Sequence, residues 1–452
     1  MSPADDDLRR PTRRRRPEDD VLGESAYQSP LGSPTTDGLL PAQPATAEDS
    51  GLDFGFLADL ALKTVYADMS CTTQRAAQRV ALPLGVVDTL LQHLYREHFI
   101  EIRETISPQN RRYAMLDRGW ERVRRLLDLN TYIGAAPVSL NAYSAMVKRQ
   151  EEVRPPVNHD AIRAALTSLV LPETLLQVIG VVANSRRSLF ITGAPGNGKT
   201  SIARALHSAL EGDIWIPRAI EVDGHIINIF DSHNHVPLDP QPALPYDQRW
   251  IKIQRRLVIV GGELTIESMD LTYDQTVKFY EAPFQVKSNG GTLLIDDFGR
   301  QRLEPRDLFN RWIIPLENRV DYLTLHTGKK IQVPFEQLLI FASNLDSADL
   351  AEEAFLRRLG YRLTVEPPSP ETYGRIFRKY VEGCRLRYDP RLVDGLLARY
   401  EHEQRDMRSC HPRDLVERCR DICRNENRPF ALTKELLDRA WLYYFGAHPG
   451  HR

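Results

Sequence analysis

The sequence predicts an α/β protein: a parallel sheet flanked by helices, with a helical region after it and a smaller unit of helices and a strand pair in front. Three observations predict it. The strand-like stretch "SLFIT" runs into a glycine-rich turn and then an apolar-periodic helix within residues 188–206. A second apolar run, "TLLI", ends on the adjacent acids Asp296 and Asp297. From about residue 160, helical patterns alternate with apolar strands, and from 367 onward the pattern is helical. Alternation of that kind belongs to a sheet covered on both faces.

Composition sets the outer bounds. The chain has 452 residues and is 42% apolar, enough for more than one domain and a sizeable core. Formal net charge is −2, so no overall electrostatic bias draws it to nucleic acid or an anionic membrane. Five cysteines imply no disulfide framework and fit a reducing compartment. The charged N-terminus has no apolar stretch of the signal-peptide kind behind it, and no apolar run reaches the ~18 residues that span a bilayer. The expectation is a cytoplasmic protein with no membrane insertion.

Residues 1–50 hold seven prolines and one aromatic, Tyr27. Such a segment buries too little apolar surface to offset the entropy of ordering, and it is predicted to be a disordered tail. Its run Arg13–Arg16 suits nucleic acid or lipid headgroups, yet residues 1–20 carry six arginines against six acids. Residues 51–133 then read as three helices, a two-stranded wing around "ISPQN" and a closing helix. The third helix has Pro83 near its start and Val87, Leu90, Leu91 and Leu94 on one face. The segment resembles a winged helix-turn-helix domain. Residues 51–130 carry 11 basic and 10 acidic residues. Phosphate neutralisation dominates DNA affinity, so protein contact is favoured slightly over DNA; Arg96, Arg111 and Arg112 keep DNA open. Residues 134–159, with a proline pair and a short helix, read as a linker.

The glycine-rich turn has the spacing Gly-x4-Gly-Lys-Thr across Gly193, Ala194, Pro195, Gly196, Asn197, Gly198, Lys199 and Thr200, with Ser201 continuing into the helix. Glycines there let backbone N–H groups turn toward a polyphosphate, and the helix N-terminus adds its dipole. Lys199 is placed for the β- and γ-phosphates and Thr200 for Mg²⁺. Asp296, ending a central strand, would face the same phosphates and hold Mg²⁺, while Asp297 would polarise an attacking water.

With these motifs in place, residues 160–447 resemble the AAA+ ATPase family: an α/β domain at 160–366 and a helical lid at 367–447. The resemblance implies ATP and Mg²⁺ as ligands and ATP hydrolysis as the activity. It also implies roles for further residues. Asn344, at the end of "LLIFASN", matches the sensor 1 position. Arg357 or Arg358, in "EEAFLRRLGYRLTV", would be the finger that reaches a neighbouring subunit's site. Arg413, in "CHPRDLVERC", would be the lid's sensor 2 arginine. A finger supplied in trans implies a homo-oligomeric ring, taken as a hexamer, acting on a protein client. Stretches before the acidic strand and before the Asn344 strand resemble insertions that contact a client in the magnesium-chelatase and enhancer-binding-protein branches. Two alternatives stand beside this reading: a DNA-acting ATPase or transcription regulator working through residues 51–133, and a slow nucleotide-gated switch. The second arises because Asp297 stands where most of the family has Glu. Asp231, His233 and His235 are read as strand-face residues rather than metal ligands, and Cys419 and Cys423 as core.

Overall fold

The computed structural model describes residues 39–210, 212–243, 245–345 and 357–446. The N-terminal helices start on side-chain caps: Asp53 accepts the Phe56 N–H at 3.0 Å and Thr72 the Arg75 N–H at 3.1 Å. Each such cap contributes about 1 kcal/mol. In order come α1 (Phe54–Asp68), β1 (Ser70–Thr72), α2 (Thr73–Val80), α3 (Leu84–Arg96), β2 (Ile100–Ser107), β3 (Asn110–Met115) and α4 (Asp117–Leu129). The hairpin β2–β3 gains β1 as a third antiparallel strand, in the order β1-β3-β2. Val86, Val87, Leu90, Leu91 and Leu94 of α3 are buried with Leu57, Leu60 and Tyr113.

Two sequence expectations need correcting here. Residues 39–50, assigned to the disordered tail, are packed: Leu39 and Ala47 are buried, and the Pro41 carbonyl accepts the Asp247 N–H at 2.9 Å. The surface that covers them lies some two hundred residues away, where local composition cannot report it. Residues 1–38 of that predicted tail lie outside the described residues. The expected linker at 134–159 contains β4 (Val138–Ser139) and α5 (Leu140–Glu152), and α5 buries Tyr143 and Val147 in a core of its own.

The chain continues through α6 (His159–Ala165), α7 (Glu173–Ser185), β5 (Leu189–Thr192) and α8 (Lys199–Ser208). Next come β6 (Asp213–Pro217), β7 (Ala219–Val222), β8 (His225–Asn228), β9 (Trp250–Gln254), β10 (Leu257–Val260), β11 (Thr272–Asp274), β12 (Phe279–Glu281), α9 (Phe284–Lys287) and β13 (Thr292–Ile295). Then follow α10 (Pro305–Asn318), β14 (Val320–Thr324), β15 (Lys330–Pro334), β16 (Leu338–Ser343) and β17 (Tyr361–Thr364). Last are the lid helices α11 (Pro370–Gly383), α12 (Pro390–His402), α13 (His411–Asn425) and α14 (Lys434–Phe445).

Five strands form a fully parallel sheet in the order β10-β13-β16-β5-β17. Every residue of β13 and β16 is buried, as a strand covered on both faces requires. Parallel pairing aligns the strand ends: Ile295 lies opposite Phe341, and both Ser343 and Thr364 lie opposite Thr192. The residues that follow these strands therefore emerge on one edge.

The two expected insertions are not separate loops. β7, β8, β11 and β12 join β4 in a second sheet, ordered β11-β12-β8-β7-β4. The β14–β15 hairpin places Leu323, Leu325, Ile331 and Val333 in the same core as Tyr143, Val147, Ile220, Ile227 and Tyr280. His326, at the hairpin tip, stacks on Tyr273 at 4.5 Å and hydrogen-bonds Tyr280 Oη. The body so formed touches the N-terminal unit: Thr131 donates to the Val277 carbonyl from both N–H and Oγ1, and Lys278 Nζ donates to the Asp128 carbonyl. Among the described residues no helix is long and apolar enough to cross a membrane.

Candidate nucleotide site

Strand β5 delivers the chain to the sheet edge, and the glycine-rich turn then reverses it into α8. Gly193 has φ 145°, and a Cβ there would lie 2.4 Å from the Val365 carbonyl oxygen, so only glycine lets the loop pass β17. Gly196 has φ 81°, and its added Cβ would meet Cys410 Sγ at 2.5 Å. The lid thus rests on the loop, with the Cys410 N–H donating to the Gly196 carbonyl at 2.9 Å. Asn197 is buried and its Nδ2 donor has no protein partner. Gly198, at φ 92°, is the residue before α8, whose first residue is Lys199; Ser201 is exposed on the first turn.

Lys199 is buried, and its ammonium donates to the carbonyls of Gly193 (2.8 Å) and Ala194 (3.1 Å) and to Asn344 Oδ1. Three oxygens thus take its three donors, in a geometry phosphate oxygens can replace. Burial pulls the Lys199 pKa below its ordinary value, and the charges of Asp297 and Asp296 oppose that pull.

Asp296 follows β13 and anchors through its N–H to the Val260 carbonyl at 2.8 Å. Thr200 Oγ1 lies 3.0 Å from each Asp296 carboxylate oxygen. A hydroxyl and a carboxylate in contact form the hard-oxygen donor set that suits Mg²⁺. Asp297 has φ 49°, a conformation Asp tolerates better than most residues. Its N–H donates to Asp296 Oδ1 at 3.1 Å, and its Oδ1 accepts from Asn344 Nδ2 at 3.1 Å. Lys199, Asn344 and Asp297 therefore form one hydrogen-bonded chain, with Thr200 and Asp296 beside it. Like charges on Asp296 and Asp297 are tolerable next to the Lys199 cation, the answer to why two acids end an apolar strand.

Sequence reasoning missed Gln301, whose Nε2 donates to the Asp296 carbonyl at 2.9 Å while its Oε1 accepts the Gly299 N–H at 2.8 Å. A side chain that brackets its own turn leaves no periodic signal. It also missed Arg408. The Arg408 Cδ lies 3.7 Å from a Cβ built on Gly196, which puts this lid arginine over the phosphate loop. Arg413, expected to aim at the γ-phosphate, is exposed and paired with Asp414 at 3.0 Å. It starts a helix next to an acid, and the local pair is the nearer partner. Arg358 pairs with Glu317 of α10 at 2.5 Å, while Arg357 is exposed. Residues 346–356 of the finger segment lie outside the described residues.

Two weaker constellations resolve as structure, although Asp231, His233 and His235 lie in a turn and not on a strand face. Asp231 binds Lys287 at 2.9 Å and accepts the His233 N–H. His235 is buried, taking the Asp231 N–H on Nδ1 and facing the Lys287 carbonyl through Nε2. Cys419 and Cys423 sit in the lid core with Trp441 and Phe377.

The deciding observation is the position of β16. It lies between the phosphate-loop strand and the acid strand, so Asn344 enters between Lys199 and Asp297. The chain thus has a parallel-sheet α/β fold with a phosphate loop, the arrangement expected from its resemblance to AAA+ ATPases. Its lid carries a recognised family: residues 369–442 match a domain of unknown function (DUF8689). Compared by sequence with curated proteins, the chain matches none. Among solved structures it is similar to Brucella abortus NtrX in complex with ADP (TM-score 0.37, 17% identity, 58% of this chain and 52% of that one). It is similar also to the same protein with ATP (0.37, 15%, 77% and 73%). A third is the Thermotoga maritima RuvB Holliday junction branch migration motor (0.35, 11%, 64% and 72%). The chain spans about half the length of the first of these, and at such scores and identities the likeness carries no functional information.

Proposed function

We propose that this AAA+ chain binds ATP with Mg²⁺ and hydrolyses it, acting as a ring that remodels or moves a protein partner. The observation that carries the reading is the convergence of Lys199, Thr200, Asp296, Asp297 and Asn344 on one sheet edge. Lys199 exchanges its loop carbonyls for the β- and γ-phosphate oxygens. Thr200 and Asp296 would hold Mg²⁺, which would supply neutralisation of the charge on the transferring phosphoryl group. Asp297 and the Asn344 amide, already hydrogen-bonded to each other, would together hold the attacking water, and Gln301 fixes the turn that presents Asp297. Arg408, and not Arg413, is the lid cation nearest the phosphates. Arg358, held by Glu317, is the finger offered to the neighbouring subunit's site.

The N-terminal unit, read as a winged helix, is assigned to protein contact. Two of the three arginines that kept DNA open are paired with acids of the same unit: Arg111 with Asp88 (3.3 Å) and Arg112 with Glu104 (3.0 Å). Cations engaged this way contribute little to phosphate neutralisation. The slow-switch reading keeps one observation in its favour. Asp297 is a methylene shorter than Glu and is tied to Asn344.

Mixing two inactive variants tests the ring. Lys199→Ala subunits lack a working site and Arg358→Ala subunits lack the finger, so the mixture is expected to regain phosphate release that neither shows alone. A mixture as inactive as its parts, with ATP still bound by the Arg358→Ala protein, contradicts a trans finger at Arg358.

A further inference from the structure

A cavity of about 260 Å³ opens where the N-terminal unit meets the antiparallel β6–β9 ribbon. Helix α2 contributes Gln78 and Arg79, the β6–β7 turn contributes Arg218, and β9 with the loop before it contributes Tyr246, Gln248 and Trp250. The chemistry of this lining is one-sided. Among the described residues it holds two arginines and three glutamines and no carboxylate.

The polar groups differ in how far they are committed. Gln241 is spent on the backbone, donating to the Leu238 and Lys252 carbonyls and accepting the Lys252 N–H. Arg79 gives one nitrogen to Asp68 at 3.0 Å and keeps its others. Arg218 has its backbone pinned by the Arg249 carbonyl and by the N–H groups of Ile229 and Phe230. Its guanidinium lies over the Phe230 ring face, at 6.0 Å. A positively charged fork held on a rigid turn, with free amides around it, matches carboxylate or phosphate oxygens in bidentate geometry. Buried Trp250 and Tyr246 form an apolar wall, and the volume lies below that of sites for drug-sized ligands.

We infer that this cavity binds a small polyanion through carboxylate or phosphate groups. The anion offsets the repulsion between Arg79 and Arg218 and bridges α2 to the β6–β9 ribbon. Occupancy then sets how firmly the N-terminal unit is held against the rest of the chain, independently of the nucleotide site.

The test uses the full chain carrying Lys199→Ala, so that the phosphate loop's own anion binding does not contribute and the result stands apart from the ATP reading. Citrate and inorganic phosphate are titrated at constant ionic strength, with sodium chloride as control. Thermal unfolding and tryptophan fluorescence are followed. The expected result is a saturable rise in unfolding temperature, with a fluorescence change, for at least one of the two. Citrate alone identifies carboxylates and phosphate alone identifies phosphate. Adding Arg218→Ala, at an exposed position, weakens the response about tenfold or more, read against that variant's own anion-free unfolding temperature. No saturable response to either anion, or an undiminished one in the Arg218→Ala protein, overturns the proposal.

Discussion

The parallel sheet and the second sheet each bury an apolar core, yet only the first announces itself in the sequence. Strands β5, β13 and β16 are short local runs, each followed at once by the residues that use its end: the glycine turn, the acid pair and Asn344. The second sheet draws on residues 138–152, 219–228, 272–281 and 320–334, none of which closes a core alone. Chemistry is concentrated in the first, connection in the second. Substitutions in one are therefore expected to change rate, and in the other stability.

The sharpest contrast comes from Asp297→Asn. If the site works as read, steady-state turnover falls by about 10²–10⁴-fold, with little change in unfolding temperature. An unfolding shift comparable to a core mutation would show that Asp297 is structural.

At the junction of the two sheets Glu151 is buried beside Arg154 (3.4 Å) and Arg255 (3.5 Å). Glu151→Ala leaves those cations buried and unpaired, at a cost of about 3–5 kcal/mol in denaturant unfolding. A loss under ~1 kcal/mol would mean that solvent already reaches the pair.

Two histidines tie the nucleotide region to pH. Burial and the neighbouring Arg255 push His207 down to about 4, and burial with Arg408 does the same to His411. Both stay neutral in the folded state while the unfolded chain takes up protons below its ordinary value of 6.5. Stability is thus unaffected above that pH, falls as pH drops from about 6.5 toward 4, and levels off below. Replacing both by Gln should flatten that part of the profile.

Within the lid, Arg408→Ala is expected to weaken ATP binding about tenfold, the value of one charge-assisted contact, and Arg413→Ala much less. Equal losses would restore Arg413 as the phosphate-facing arginine. The smallest effect tests the second sheet itself. Tyr280→Phe removes the hydroxyl that bonds His326 and should lower stability by about 1 kcal/mol without altering turnover.

What was legible in the sequence follows the range of the physics. The glycine loop, the two acids and Asn344 are read from local chemistry, because each must stand directly after its strand. The helices at 54–96 show in caps and apolar spacing, and residues 370–445 show as helices. Helix α5 showed only as a short helix in a linker, since Tyr143 and Val147 find partners only after strands far along the chain arrive. Gln301 and Arg408 were invisible for a related reason: a bracket across a turn and an arginine over a distant loop depend on tertiary placement alone.

The central claim is tested most directly by steady-state phosphate release with ATP and Mg²⁺, measured beside ATP binding on the same preparations of the wild-type, Lys199→Ala and Asp297→Asn proteins. The account predicts turnover by the wild type alone, tight ATP binding by wild type and Asp297→Asn, and weakened binding by Lys199→Ala. Phosphate release by Lys199→Ala at the wild-type rate, or none from a wild-type protein that binds ATP, would contradict it.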